Sequence, residues 1–301
     1  MKTPVYWWAH GACPVALTLA CALLASSSSN AQDLKTGLVS YWPLNEIVGG
    51  KSPDLFGTFD MTATNLTAES VVAGKVGNAI QFDSTVPGIL ERTHDEGEAL
   101  PLDQYTDWSL SMWVKGDGTD QPGNLPSAND QRIFSEGSTQ NNTPLFNLGT
   151  SNDGGTQELD VFVRGDNGTL NHARSEAFPF DNEWRHIVYV QTDNTFTVYV
   201  DGEPTPILAG GEPVEDSVRP MINEGAAYRV NTTTIGGIRR ASSSHFFNGL
   251  IDEVGAWNRA LTEEDVAELF SNGFSSVINP LLDGLVWLYP VLATSRHHVT
   301  R

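Results

Sequence analysis

Between residues 35 and 274 the apolar positions fall in short β-branched and aromatic runs, separated by glycine, asparagine, aspartate and proline. That spacing predicts many short antiparallel strands rather than helices. The clearest unit is 184–203. Trp184, His186, Val188 and Val190 alternate with Arg185, Ile187, Tyr189 and Gln191, and Asp193-Asn194 makes a turn. Phe196, Val198 and Val200 then alternate with Thr197, Tyr199 and Asp201, and Asp201-Gly202 tolerates the positive φ of a tight turn. Further strands are expected at 38–43, 79–82, 108–115, 132–136, 144–149, 158–164, 233–238 and 249–257. One helix of about two turns follows. Thr262 caps it, Glu263, Glu264 and Asp265 favour its positive end, and Asn272-Gly273 stops it. Val266, Leu269 and Phe270 form its apolar stripe, which must pack on a sheet because so short a helix does not stand alone. The segments 116–129 and 203–228 read as long surface or binding loops.

Composition narrows the partners. The chain has 301 residues, 40% of them apolar, which is enough for a substantial core. Its formal charge of −20 repels phosphate backbones and anionic lipid surfaces, so neither nucleic acid nor a membrane surface is an expected partner. The two ends stand apart. Lys2, the apolar run Val15–Ala25, and small residues at Ser29 and Ala31 resemble a secretory signal cleaved after Ala31, too short for a permanent span. Cys21 leaves a lipoprotein reading as the alternative. Cys13 and Cys21 both lie in this leader, so the mature chain is expected to hold no disulfide and to be secreted or attached to the cell envelope. At the other end, 275–301 carries the apolar stretch 284–293 and then Arg296, His297, His298 and Arg301. It reads equally as a sorting tail or as a surface-packed tail.

The order of segments is itself informative. LVSYWPLNE (38–46), KVGNAIQFDS (75–84), DWSLSMWVKG (107–116), the hairpin at 182–203, TTIGGI (233–238) and FNGLIDEVGAWNRALTEEDVAELF (247–270) run in a familiar succession. The chain resembles the laminin-G-like, concanavalin A-like jelly rolls of the bacterial secreted type over roughly residues 35–274. The resemblance implies an all-β fold, a two-sheet antiparallel jelly-roll sandwich with one short C-terminal helix. It does not imply a single function.

The strongest catalytic pattern is Glu158-Leu159-Asp160-Val161-Phe162. Glu158 and Asp160 share a strand face, as the first two carboxylates do in laminarinase-like glycosidases of this fold. The second glutamate is missing: Phe162, or Val163 in the longer spacing, stands where the acid/base partner belongs. The two acids therefore read as a solvated strand face, with Glu158 and Asp160 only weak catalytic candidates. A lyase would need a histidine–tyrosine pair such as His172 or His94 with Tyr228, which no spacing singles out.

Binding is better supported by the residue types. Trp42, Trp108, Trp113, Trp184 and Trp257 all fall within core motifs, leaving loop aromatics for sugar stacking. Among Tyr105, Phe178, Phe180, Tyr228, Phe246 and Phe247, the expected ligand contacts are Tyr228 and Phe246, with His245 beside them. Relatives of this fold often hold a structural calcium. The resemblance points to Asp83 and Asp252 as its ligands, with Asn45 or Glu46 as a third; the alternative is that Asp252 serves the sheet edge by hydrogen bonding. The expectation is a non-catalytic module that binds a glycan or a cell-surface protein through rim loops. A polysaccharide-degrading hydrolase or lyase, and a structural adhesion or assembly module, are the alternatives.

Overall fold

The computed structural model describes residues 33–118, 130–151, 156–165, 168–193, 195–214 and 228–274. The expected leader (1–31), the tail (275–301) and most of the 116–129 loop lie outside the described residues. Among the described residues no helix is long and apolar enough to cross a membrane.

Two antiparallel sheets make the sandwich, as expected. The eight-stranded sheet runs Glu203–Thr205, Thr195–Val200, Arg185–Thr192, Trp108–Gly116, Gly249–Trp257, Asn78–Phe82, Val71–Ala73, with Leu38–Trp42 also paired to Gly249–Trp257. The ten-stranded sheet runs Glu212–Pro213, Ile207–Ala209, Gly168–Ser175, Leu159–Gly165, Leu145–Thr150, Arg132–Gly137, Thr232–Ile235, Ile89–Thr93, Met61–Thr64, Lys51–Ser52. Strand alternation sends Leu110, Met112, Ile187 and Ile251 from one sheet, and Phe146, Leu148, Val161 and Val163 from the other, into one core. Trp42, Trp108, Trp113 and Trp257 are buried, and Trp184 is half-buried.

The expected strand 233–238 is divided. Thr232–Ile235 ends at Gly236, whose φ is +80°, and Ile238–Arg239 turns away to form a small hairpin with Ser243–Ser244. A Cβ at Gly236 would lie 2.1 Å from the Phe82 ring, so both backbone angle and space demand glycine. Gly168–Ser175 is a strand that alternation did not reveal, because its polar run takes order from pairing with Leu159–Gly165. The segment read as one loop from 203 contains three short strands before residue 214.

The helix spans Glu263–Asn272, nearly a turn longer than expected. Thr262 Oγ1 accepts from Asp265 N–H, and Asp265 accepts in return from Thr262 N–H. Leu261, Val266, Leu269 and Phe274 seat on Leu38, Tyr41, Val188, Val190, Tyr199 and Trp257, the back of the eight-stranded sheet. That covers one outer face. The outer face of the ten-stranded sheet carries a different set of residues.

Candidate functional site

On Leu159–Gly165 the odd-numbered Leu159, Val161 and Val163 enter the core, so Asp160, Phe162 and Arg164 point outward. Glu158 precedes them on the same side. Asp160 nevertheless is not solvated: it is 0% exposed. Arg132, two strands away and 1% exposed, reaches it with Nη1 at 2.7 Å from Asp160 Oδ2. Gly149 lies between them in register, and a Cβ there would come within 1.9 Å of the Gln131 carbonyl oxygen and 2.8 Å of Arg132 Cδ. Glycine at 149 thus opens the channel through which the guanidinium crosses. Here the expectation of two acids on a wet face is corrected for Asp160, because an arginine remote in sequence covers it.

His172 closes the other side. It sits in a β-bulge where the register slips between Val161 and Val163, with φ of +56°. Such a bulge re-aims a side chain, and His172 Nδ1 lies 2.9 Å from Asp160 Oδ2. Asp130 holds the far end of Arg132 by an ion pair. His245, also at φ +56°, places Nε2 3.3 Å from Asp130 Oδ2 and Nδ1 2.8 Å from Ser244 Oγ. Burial foremost, then the charges of Arg132, Arg240, His172 and Arg164, push His245 down to about 3, so it is neutral at pH 7. Burial also lowers the Arg132 guanidinium, against the opposing pull of Asp160.

Two cavities open on this face and share His172. The larger, about 850 Å³, is lined by Glu158, His172, Arg174, Phe178 and Leu208 and floored at Gly210-Gly211. Phe178 is 57% exposed there. Glu158 Oε2 is buried without a partner among the described residues, an acceptor left for a ligand. The smaller cavity, about 80 Å³, lies among Arg132, Asn147, Phe162, Arg164, Arg240 and His245.

Glycoside hydrolysis needs a second carboxyl group across the scissile bond. A second acid does stand beside Asp160: Asp130, Asp160 and His172 bring one ligand atom each to within 4.8 Å of one another. Both carboxylates, however, share one guanidinium, and Asp160 lies beneath the surface where no glycosidic oxygen reaches it. The same arginine disfavours a metal in this triad, since its fixed positive charge already stands between the acids.

The other expected site residues disperse. Tyr228 is 38% exposed and Phe246 half-buried, and neither lines the two cavities. Asp83 is exposed and closes its own turn, Oδ1 accepting from Thr85 N–H and Oγ1–H. Asp252 is 0% exposed and Oδ2 accepts from the backbone N–H of Lys75 and Val76; Oδ1 has no partner among the described residues. Asn45 Oδ1 is already engaged by Asn78 N–H at 2.7 Å. Asp83 and Asp252 belong to no cluster of three or more metal-type ligands among the described residues. Asp130, Arg132, Arg164, Arg174 and Arg240 went unrecognised in the sequence. The alternation of Asp160 with Arg164 was the only available hint, since the rest converge from different strands.

Comparison with known proteins places this geometry. A family model, Laminin_G_3, described as the Concanavalin A-like lectin/glucanases superfamily, matches residues 93–267, more than half of the chain. No curated protein sequence matches. Among solved structures, domain 4 of AbnA, a GH43 extracellular arabinanase from Geobacillus stearothermophilus in complex with arabinotriose, is similar. Its TM-score is 0.54 at 16% identity, covering 78% of this chain and 98% of that one. Trypanosoma rangeli sialidase in complex with sialic acid gives 0.53 at 18% identity, covering 78% of this chain and 32% of the sialidase, so the chain spans about a third of that enzyme. The binding domain of Paraclostridial Mosquitocidal Protein 1 gives 0.52 at 16% identity, covering 80% and 53%. At these identities the likeness concerns the fold.

Proposed function

Given that the chain belongs to the concanavalin A-like lectin/glucanase superfamily, we propose that it is a non-catalytic glycan-binding module, exported from the cell. The observation that carries the proposal is the 850 Å³ cavity on the outer face of the ten-stranded sheet, where exposed Phe178 stands beside Glu158, His172 and Arg174. A sugar ring presents an apolar C–H face to an aromatic and hydroxyls to fixed polar groups, and this cavity offers both. Arabinotriose in the arabinanase domain and sialic acid in the sialidase support the ligand class by analogy. The leader-like segment through Ala31 supports export. A single structural calcium on Asp83 and Asp252 remains a proposal, although Asp83 closes its own turn on Thr85 and Asp252 accepts from Lys75 and Val76 N–H.

The proposed surface is this sheet face rather than the rim loops; of the expected contacts Tyr228, Phe246 and His245, only His245 lies on it, lining the smaller cavity. The test is a glycan array followed by calorimetry on the hits. Wild type is expected to bind at least one oligosaccharide, Phe178→Ala to weaken that binding tenfold or more, and no reducing ends to appear on prolonged incubation. New reducing ends that vanish in Glu158→Gln would replace binding with hydrolysis. An array with no hits, alongside capture of a protein partner, would favour the adhesion reading.

A further inference from the structure

The small cavity beside the proposed sugar site has a chemistry of its own. Its volume of about 80 Å³ equals two to three waters, room for one substituent and not for a ring. Three guanidiniums line it, Arg132, Arg164 and Arg240, with Arg174 in the adjoining cavity. Four of the chain's twelve arginines thus gather on one face of a protein of charge −20. Such a concentration of like charge raises energy unless it has an anion to meet. Asp130, which also lines the cavity, and Asp160 Oδ2 pair with Arg132. Arg164 lies over the Phe162 ring and Arg240 Nη2 donates to Ser244 Oγ, so neither has a carboxylate partner among the described residues, and each lowers the proton affinity of His245.

Unfilled hydrogen-bonding capacity points the same way. Arg132 Nε and Arg240 Nε are buried donors with no partner among the described residues. Asn147, 1% exposed, also lines the cavity, and its buried Oδ1 has no partner among the described residues. Unpaired donors on guanidiniums ask for an anionic oxygen, and an unpaired amide oxygen asks for a hydroxyl. A sugar bearing a charged group next to a hydroxyl supplies both.

We propose that this pocket, formed by Arg132, Asn147, Arg164 and Arg240, is the subsite for a carboxylate or sulfate group, so that the ligand is an acidic polysaccharide. The inference rests on the glycan-binding reading and names the class of glycan. His172, shared by the two cavities, sets the sugar ring beside Phe178 while the charged substituent enters the pocket.

The experiment uses an array in which uronate and sulfated glycans are paired with their carboxyl-reduced and desulfated counterparts. The expected hits are acidic, with the neutral member of each pair at least tenfold weaker. The double variant Arg164→Gln/Arg240→Gln is expected to lose that difference while keeping the residual affinity for the neutral member. Equal binding within pairs, or a double variant that still discriminates, overturns the subsite while leaving the glycan reading intact. If no glycan binds, the reading of function falls, and sodium sulfate decides the pocket alone. A thermal shift with sulfate larger in wild type than in the double variant, at matched ionic strength, upholds an anion site. Equal shifts reject it.

Discussion

The two sheets of the sandwich obey the same alternation, yet their outer faces end differently. Behind the eight-stranded sheet, outward residues such as Val188, Val190, Tyr199 and Trp257 are apolar, and the chain covers them itself with the helix Glu263–Asn272 and Phe274. Phe274 stacks on Tyr41 at 4.1 Å, and Trp257 Nε1–H donates to the Leu34 carbonyl. Behind the ten-stranded sheet, the outward residues include Arg132, Asn147, Asp160, Arg164 and His172, and the described chain leaves cavities over them. A covered face stabilises through apolar burial, about 1.5–3 kcal/mol for each large side chain. The open face gains little from its ion pairs net of desolvation. That difference is what the proposed ligand site rests on.

The sharpest way to break this contrast is Arg132→Ala. It removes the guanidinium from Asp160 at 0% exposure, leaving only the His172 ring against that carboxylate, and breaking a buried ion pair costs about 3–5 kcal/mol. Urea unfolding should show that loss, and Asp160→Ala added to it should cost far less than the sum of the two single changes. A loss under ~0.5 kcal/mol would mean that the Arg132–Asp160 pair holds no more than an exposed ion pair does, and would erase the distinction between the faces.

Protonation sharpens the comparison, because the faces carry opposite signs. On the covered side, burial pushes Glu253 up to about 7, helped by neighbouring Asp252, while Tyr41 O–H donates to its carboxylate at 2.7 Å. Asp252 is raised to about 7 by burial as well. In the unfolded chain these acids lose protons near pH 4. Their stabilisation is therefore complete below pH 4 and is lost as the pH rises through 7. On the open side His245 is held down to about 3, against ~6.5 when unfolded. Its stabilisation is complete above pH 6.5 and is lost as the pH falls toward 3. Glu253→Gln, which keeps the acceptor for Tyr41, should gain on wild type between pH 5 and 8 by on the order of 2 kcal/mol. His245→Gln should gain instead as the pH falls from 6.5 to 4. Parallel curves for both variants would show that neither burial pattern governs the pH response.

How much of this was visible in the sequence follows from the kind of interaction. The hairpin 184–203 and the capping of the helix by Thr262 are local, written in adjacent residues, and they stand as read. Glu158 and Asp160 on one face is also local. That Asp160 is buried is not: it depends on Arg132 meeting it across Gly149, residues brought together only by strand pairing. His245 was singled out for its chemistry, but its partner Asp130 lies 115 positions away in a segment without periodic pattern. Phe178 stood among six loop aromatics, and nothing in its neighbours told that it, rather than Tyr228 or Phe246, would edge a cavity. Alternation reveals that a strand has two faces; it does not reveal which is roofed.

The two smallest effects separate fold from function. Thr262→Ala removes the hydroxyl that accepts from Asp265 N–H, at a cost of about 1 kcal/mol. The loss should appear as a lower urea midpoint with the same slope, since the amount of surface exposed on unfolding is unchanged. Glycan affinity should not move, because the helix lies behind the other sheet. Phe178→Ala should do the reverse. Its ring is 57% exposed and makes no described ring stacking with the core, so stability should change by no more than ~0.5 kcal/mol while affinity falls. A Phe178→Ala variant as destabilised as Thr262→Ala would mean that the open face is part of what holds the sandwich together, and its exposed aromatic could no longer be assigned to a ligand.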